Sequence, residues 1–243
     1  MTHHVFIDGA AGTTGIEIQE RLAKRAEFSL ILLNDAQRKD SAARRQAIND
    51  ADVVILCLPD DAARESVAMI DNDRTRVIDA STAHRVADGW AYGFPELIGR
   101  DQVAASKRVS NPGCYPTGFL AMVGPLVRAG IIPADYPLSV NAVSGYSGGG
   151  KSMIESFESG AAPSFELYGL GFEHKHLPET QLYSKLTRRP IFVPSVGNFR
   201  QGMLVSVPLH LDTLPGKPSG ADLQAALANR YAASAYVSVM PLE

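Results

Sequence analysis

From its start the chain alternates short apolar runs with segments in which apolar residues recur every three or four positions. Val5-Phe6-Ile7 is a compact β-prone run, and beyond a glycine-threonine turn Ile16, Ile18 and Leu22 stand among Glu17, Glu20, Arg21 and Lys24. That spacing puts one apolar stripe on a helix. A second apolar run covers Phe28 to Leu33, and Ser41 to Asn49, rich in Ala and Arg, reads as a helix. Val53 to Leu58 is apolar almost throughout, as a strand covered on both faces requires. Asp61 to Ile70 is again helical in pattern, and Arg76-Val77-Ile78-Asp79 makes a fourth strand. Strand and helix in alternation specify βαβ units and a parallel sheet.

The pattern changes after Asn111-Pro112-Gly113. A helix is predicted from Tyr115 to Ala129, a strand over Leu138 to Val143, a glycine-rich loop from Ser144 to Gly150, and a helix over Lys151 to Glu158. Between Leu204 and Leu211, apolar Val205, Val207, Leu209 and Leu211 alternate with Leu204, Ser206, Pro208 and His210. A period of two is a strand with one buried face, and Pro208, unable to donate to a ladder, places it at an edge. Ser219-Gly220-Ala221-Asp222 caps a helix carrying Leu223, Leu227 and Tyr231 on one face, and a last strand is expected from Tyr236. The fold class is therefore α/β in two domains: residues 1–112 form a Rossmann-type parallel sheet, and residues 113–243 a mixed α+β domain.

Composition narrows the function. With 243 residues, 45% of them hydrophobic, the chain is long enough to bury a sizeable core. Lys and Arg number 23 against 26 Asp and Glu, for a net charge of -3, which argues against a nucleic-acid-binding module. No apolar run approaches the ~18 residues of a membrane span, and the first residues show no secretory signal. Two cysteines, Cys57 and Cys114, make no disulfide scaffold and suit a cytoplasmic protein.

Three segments carry candidate chemistry. Gly9-Ala10-Ala11-Gly12-Thr13-Thr14-Gly15 follows the first strand and opens a helix. Glycines there let the backbone turn tightly and approach a pyrophosphate, and the helix start offers unbonded N–H groups. The spacing is Gly-x-x-Gly-x-x-Gly, a weak signal by itself because such a turn is often only a turn, and its place in a βαβ unit is what favours a dinucleotide. After the second strand, Asp35 suits a free ribose hydroxyl, whereas Arg38 and Lys39 suit a 2′-phosphate. In Ser110-Asn111-Pro112-Gly113-Cys114-Tyr115-Pro116-Thr117-Gly118 a cysteine stands at the start of a helix, where its thiolate is favoured; Cys57, inside an apolar strand, reads as a small hydrophobe. In Glu173-His174-Lys175-His176-Leu177-Pro178-Glu179 two histidines lie on one side if the segment is extended. Without a third ligand they suit acid–base work for the thiol better than a metal, and a surface pair is the bland alternative. His84 and His210 carry no signal of their own, and no Gly-x-Ser-x-Gly elbow points to a hydrolase.

Together these segments resemble N-acetyl-γ-glutamyl-phosphate reductases of arginine biosynthesis, more closely the shorter second type, over essentially the whole chain. Gly9 to Gly15 resembles the family's NADP-binding loop, and Asn111 to Thr117 its active-site cysteine motif. Ser144 to Lys151 resembles its substrate loop, and His174 to Glu179 its histidine motif. Asp79-Ala80-Ser81-Thr82-Ala83-His84-Arg85 is similar to a segment that reaches the site with a serine and an arginine, and Tyr92 to Glu96 also fits. The resemblance implies a second domain like that of glyceraldehyde-3-phosphate dehydrogenase, and a homodimer or homotetramer acting on a small acyl phosphate. It implies Cys114 as nucleophile, His174 and His176 as acid–base groups, and Gly9, Ala11, Gly12, Thr13, Thr14, Gly15, Arg38, Leu58 and Pro59 around NADP. Ser81, Arg85, Asn111, Ser144 and Gly145 are the implied substrate residues, with no metal. A sister acyl-phosphate reductase, such as an aspartate-semialdehyde dehydrogenase, is the nearest alternative. From another class, a dinucleotide-binding regulator without catalysis would keep the glycine turn but has no use for Cys114, His174 and His176. Family members continue for several dozen residues past the point where this sequence stops, so a truncated reductase with weakened activity is expected.

Overall fold

The computed structural model describes residues 2–242, and the chain divides into two units. The break lies between Pro112 and Gly113, and Phe94–Gly99, although earlier in the chain, belongs to the second unit. No described helix is long and apolar enough to cross a membrane.

The first unit runs β1 (His3–Asp8), α1 (Thr13–Leu22), β2 (Phe28–Ile31), α2 (Ser41–Asp50), β3 (Val53–Leu56), α3 (Asp60–Ala68), β4 (Arg76–Asp79) and β5 (Ala91–Tyr92). It closes with α5 (Arg100–Ala105) and β6 (Arg108–Ser110), while α4 (Pro95–Ile98) packs in the second unit. The described strands form a six-stranded sheet, ordered β2-β1-β3-β4-β6-β5, in which each recorded pairing is parallel. Phe6, Val54, Leu56 and Val77 are buried against Ala47, Ile48 and Ala63 of α2 and α3. The strand expected over Val53 to Leu58 ends at Leu56, because Cys57 makes one last bond to the Asp8 carbonyl and Pro59 has no N–H to continue. Its second face, Val53 and Ile55, is half-buried rather than sealed.

The second unit contains α6 (Cys114–Arg128), β7 (Ser139–Gly145), α7 (Lys151–Glu158), β8 (Phe165–Leu167), α8 (Leu177–Ser184), β9 (Ile191–Gly197), β10 (Met203–Ser206) and α9 (Gly220–Tyr231). Its described sheet is mixed, ordered β10-β7-β9-β8, with β7 and β9 parallel and both edges antiparallel. The apolar row of α6 (Tyr115, Phe119, Leu120 and Val123) is buried, and Gly118 lets the helix lie close to β10, since a Cβ there would stand 2.8 Å from Val205. Exposed and half-buried positions alternate past Leu204, so the expected face is only half-buried, and the ladder stops at Ser206, short of Pro208 and Leu211, with β10 at the sheet edge. The capping box at Ser219 and Asp222 forms as its spacing requires. The strand expected from Tyr236 does not form: residues 236–242 have neither helix nor strand, and Tyr236 is 87% exposed. The segment joins neither outer edge, β10 or β8, and instead follows α9, where Gln224 donates to the Met240 carbonyl (3.2 Å).

Candidate active site

At the end of β1 the chain enters the glycine turn. Gly9 has φ +92°, and a Cβ there would lie 2.3 Å from the Cys57 carbonyl oxygen. A Cβ on Gly15 would lie 2.4 Å from the Gly9 carbonyl, whereas on Gly12 the nearest atom is 3.4 Å away. Packing thus dictates the first and third glycines but not the middle one, which caps α1 with extended backbone. Thr13 and Thr14 begin that helix, and Leu58 and Pro59 follow β3 on the way into α3. Beside the turn a cleft is lined by Phe6, Ala10, Leu30, Leu33 and Arg38. Arg38 stands on a 3-10 turn that Asn34 and Gln37 fix by exchanging N–H bonds (3.0 Å each), and it pairs with the Asp35 carboxylate. Behind the turn, Asp8 is buried and paired with Arg44 (3.0 Å) and the Ser66 hydroxyl (2.8 Å). Burial, with the Asp79 and Asp8 charges, pushes the Cys57 thiol up to about 11.

At the end of β4, the fully buried Asp79 carboxylate accepts from the Ser81 N–H (2.9 Å), the Ser81 hydroxyl (2.8 Å) and His84 Nδ1 (2.6 Å). The His84 ring stacks on Trp90, with centroids 4.0 Å apart and planes at 11°. Arg85, also buried, donates from Nε to the Asn111 carbonyl (3.0 Å) and from Nη2 to the Ala80 carbonyl (3.3 Å). The Asn111 N–H in turn donates to the Asp79 carbonyl (2.7 Å).

In the second unit Cys114 is exposed and is the first residue of α6. Gly113 caps that helix with extended backbone, and its N–H donates to the buried Glu179 carboxylate (3.0 Å) on α8. Next to the cysteine, the Tyr115 hydroxyl donates to the Ser195 carbonyl (3.0 Å) and receives the Tyr168 hydroxyl (2.8 Å). Tyr115 meets the rings of His174 and His176, each 6.0 Å away between centroids. The histidine segment is a turn rather than extended, since His176 has helical backbone and caps α8. The rings still converge, 4.6 Å apart, because the His176 N–H turns back to His174 Nδ1 (3.2 Å). Burial, then the Lys175 charge, holds His174 below the ordinary imidazole value, and burial raises both tyrosines, so their hydroxyls stay protonated donors. Ser144 and Gly145, expected in a loop, end β7 instead; the Ser144 hydroxyl donates to the Gly145 carbonyl (3.0 Å), and a Cβ on Gly145 would lie 2.6 Å from the Arg200 carbonyl oxygen. Among the described residues no group of three or more metal-ligating side chains gathers.

Residues 4–106 match the model of the semialdehyde dehydrogenase NAD binding domain, and residues 114–243 that of the semialdehyde dehydrogenase dimerisation domain. An N-acetyl-γ-glutamyl-phosphate reductase of Chelativorans sp. (strain BNC1) is 55% identical over 236 residues, covering 96% of this chain and 76% of that one. The chain belongs to this reductase family. N-acetyl-γ-glutamyl-phosphate reductase 2 of Pseudomonas putida is 54% identical over 98% of this chain and 78% of its own length. The Brucella ovis reductase is 51% identical over all of this chain and 81% of its own. Among solved structures, aspartate semialdehyde dehydrogenase II of Vibrio cholerae complexed with ASA superposes with a TM-score of 0.65 at 15% identity, covering 89% of this chain and 78% of that one. The Candida albicans aspartate semialdehyde dehydrogenase with NADP gives 0.61 at 15% identity, covering 93% and 76%. At such identities the likeness is one of fold.

Within this reductase family member, Cys114, His174, His176, Ser144 and Gly145 share the second unit, while the glycine turn, Arg38, Leu58, Pro59, Ser81, Arg85 and Asn111 share the first. Four residues that bond to the candidate segments were not singled out in the sequence: Tyr168, Glu179, and the Asp79–His84 pair. Glu179 and Asp79 stand inside quoted motifs, where a carboxylate at a helix or strand end was the available signal. Tyr168 lies in an irregular segment with no periodicity to mark it.

Proposed function

We propose that this chain reduces N-acetyl-γ-glutamyl phosphate to N-acetylglutamate semialdehyde, releasing phosphate, with NADPH as reductant and Cys114 as nucleophile. The observation that carries this reading is an exposed thiol at the first position of α6, beside a tyrosine against which two imidazoles pack. The Cys114 thiolate attacks the acyl carbon; the C–S bond forms, the bond to the phosphoryl oxygen breaks, and phosphate leaves, giving a thioester. The N–H groups at the start of α6 face the oxygen that gains charge in this step, and the Glu179 bond to Gly113 sets their direction. NADPH, when bound, supplies the hydride that reduces the thioester carbon. One of the two histidines protonates the resulting oxyanion and the other keeps it in place; His174, half-buried and held largely neutral, takes the thiol proton first. Collapse of the thiohemiacetal returns its hydroxyl proton to the same histidine, breaks the C–S bond, restores the thiolate and frees the aldehyde.

The glycine turn fits a dinucleotide: two of its glycines are dictated by packing, and the middle one leaves the start of α1 open to a pyrophosphate. Gly9, Ala11, Gly12, Thr13, Thr14, Gly15, Leu58 and Pro59 would hold NADP, and Arg38 its 2′-phosphate; the Asp35 charge that argues for NAD is spent on Arg38. Ser81, Arg85 and Asn111 would bind the acyl phosphate with Ser144 and Gly145, the planar Arg85 fork suiting a phosphate. On this reading residues 1–112 are the NADP domain, residues 113–243 the catalytic and dimerisation domain, and the enzyme works in the cytoplasm.

A second copy of the chain is the proposed partner, in a homodimer or a homotetramer. Leu204, Val143 and Leu167 fall in one register row of the mixed sheet, opposite the face on which Val205 meets α6. With Phe165 and Ile191 they leave an exposed apolar face (Leu204 is 72% exposed) in the segment that matches a dimerisation domain. The direct test is NADPH formation from N-acetylglutamate semialdehyde, phosphate and NADP. Faster turnover with the aspartyl compounds would move the protein to the sister reductases, and no turnover with either would leave the regulator.

A further inference from the structure

The reaction above leaves the buried pair Asp79 and His84 of the first unit unused. Their turn is closed on itself. Ser81 bonds back to Asp79 through both N–H and hydroxyl, the Ala83 N–H reaches the Ser81 hydroxyl (3.1 Å), and Arg85 returns to the Ala80 carbonyl. Thr82 is held from outside by Asp60, through its N–H (3.0 Å) and its hydroxyl (2.6 Å). At the far end of the turn stands His84, which precedes Arg85 directly and is constrained twice. Nδ1 meets a carboxylate that is itself fully buried, and the ring face lies flat on Trp90. A hydrogen bond fixes one point of the ring and a stack fixes its plane, so together they fix the backbone from which Arg85 departs.

We infer that His84 is a positioning residue: with Asp79 and Trp90 it holds the turn that presents Ser81 and Arg85. The inference rests on the reading of Ser81 and Arg85 as phosphate-binding residues. Arg85 has five N–H donors, and two of its bonds run to the Ala80 and Asn111 carbonyls, which set the tilt of the guanidinium plane. A bidentate fork is sensitive to that tilt, whereas a point charge is not. A turn that were only structural would be served by any apolar side chain packed on Trp90. The short bond from a buried carboxylate argues for an orientation that matters, because a buried carboxylate is costly unless fully bonded.

The test compares His84→Leu, His84→Asn and Trp90→Leu with the wild type. Leu keeps bulk but donates nothing, and Asn places an amide donor near the position of Nδ1. KM and kcat are measured for the acyl phosphate, and inorganic phosphate is titrated by calorimetry, so a readout survives loss of turnover. His84→Leu is expected to raise KM and weaken phosphate binding by about tenfold or more, with kcat falling less. His84→Asn should recover both to within about threefold of wild type, since the donor is restored. If His84→Leu fails to fold, Trp90→Leu and His84→Asn carry the comparison, the first expected to weaken phosphate binding and the second to preserve it. A folded His84→Leu or Trp90→Leu with unchanged KM and phosphate affinity overturns the inference, as does a His84→Asn variant no better than Leu. The wild-type control separates the two readings: a wild type that prefers aspartyl phosphate sinks the substrate assignment, and the variants are then compared on that compound.

Discussion

Alanine at Gly9 and at Gly12 should separate a glycine required by the fold from one required by the cofactor. At Gly9, φ is +92° and the added Cβ would sit 2.3 Å from the Cys57 carbonyl oxygen, a backbone atom. Left-handed backbone costs an L-residue roughly 1–2 kcal/mol, and overpacking against a fixed neighbour adds about 1–3 kcal/mol. The sum, about 2–5 kcal/mol, lowers the melting temperature of a unit this size by roughly 8–20 °C. At Gly12, φ is -79° and the nearest atom is 3.4 Å away, so the alanine is sterically free. Its cost is only that of a poorer helix cap, within about 1 kcal/mol. A pyrophosphate against the start of α1 would meet the new methyl, so NADP affinity should fall at least about tenfold in Gly12→Ala with little change in melting. Thermal melts and NADP titrations of both variants decide. The reasoning fails if Gly9→Ala melts with the wild type, or if Gly12→Ala binds NADP as the wild type does.

Other outcomes follow from the same geometry. Iodoacetamide near pH 8 should label Cys114 and spare Cys57, whose thiol is pushed up to about 11; comparable labelling of Cys57 in the folded chain would refute its assignment as inert. His174 is held below its ordinary value, so its stabilising effect is complete above the unfolded value near about 6.5 and declines as pH falls below it. Melting temperature measured from pH 8 to pH 5 should therefore drop less steeply in His174→Gln, and matching slopes would contradict that. Replacing Arg38 and Lys39 together by Ala should narrow the preference for NADP over NAD by about ten- to a hundredfold, or ~1.4–2.7 kcal/mol; equal wild-type affinities would remove the basis for it. Leu204→Glu on the open sheet face should shift sedimentation toward the monomer, and an unchanged oligomer would place the interface elsewhere.

The first unit was legible because its strands are short apolar runs divided by amphipathic helices, a contrast that needs no tertiary knowledge. The second was read only in part. β9 lies at the centre of its sheet yet contains Pro194, which usually argues against such a position. The structure resolves this: the Pro194 carbonyl accepts from Tyr168 (3.2 Å), on the β8 side, so its missing N–H also faces away from β7 and no bond of that ladder is lost. Tyr236 shows the opposite failure: its β-propensity goes unused, and the segment runs beside α9 with Tyr236 left exposed. At the candidate site, Cys114 and the glycine turn were readable because the signal for each is a local helix start. Glu179 and Tyr168 act across 66 and 53 residues of sequence, through bonds that only folding creates.

The central claim is that Cys114 carries the acyl group. Mixing the chain with N-acetyl-γ-glutamyl phosphate in the absence of NADPH, and following released phosphate and the mass of the peptide holding Cys114, tests it most directly. The account requires a rapid release of about one phosphate per active chain, an acyl adduct on Cys114, and loss of both in Cys114→Ser. Release of phosphate by the Cys114→Ser chain at the wild-type rate, or an adduct on Cys57 instead, would contradict it.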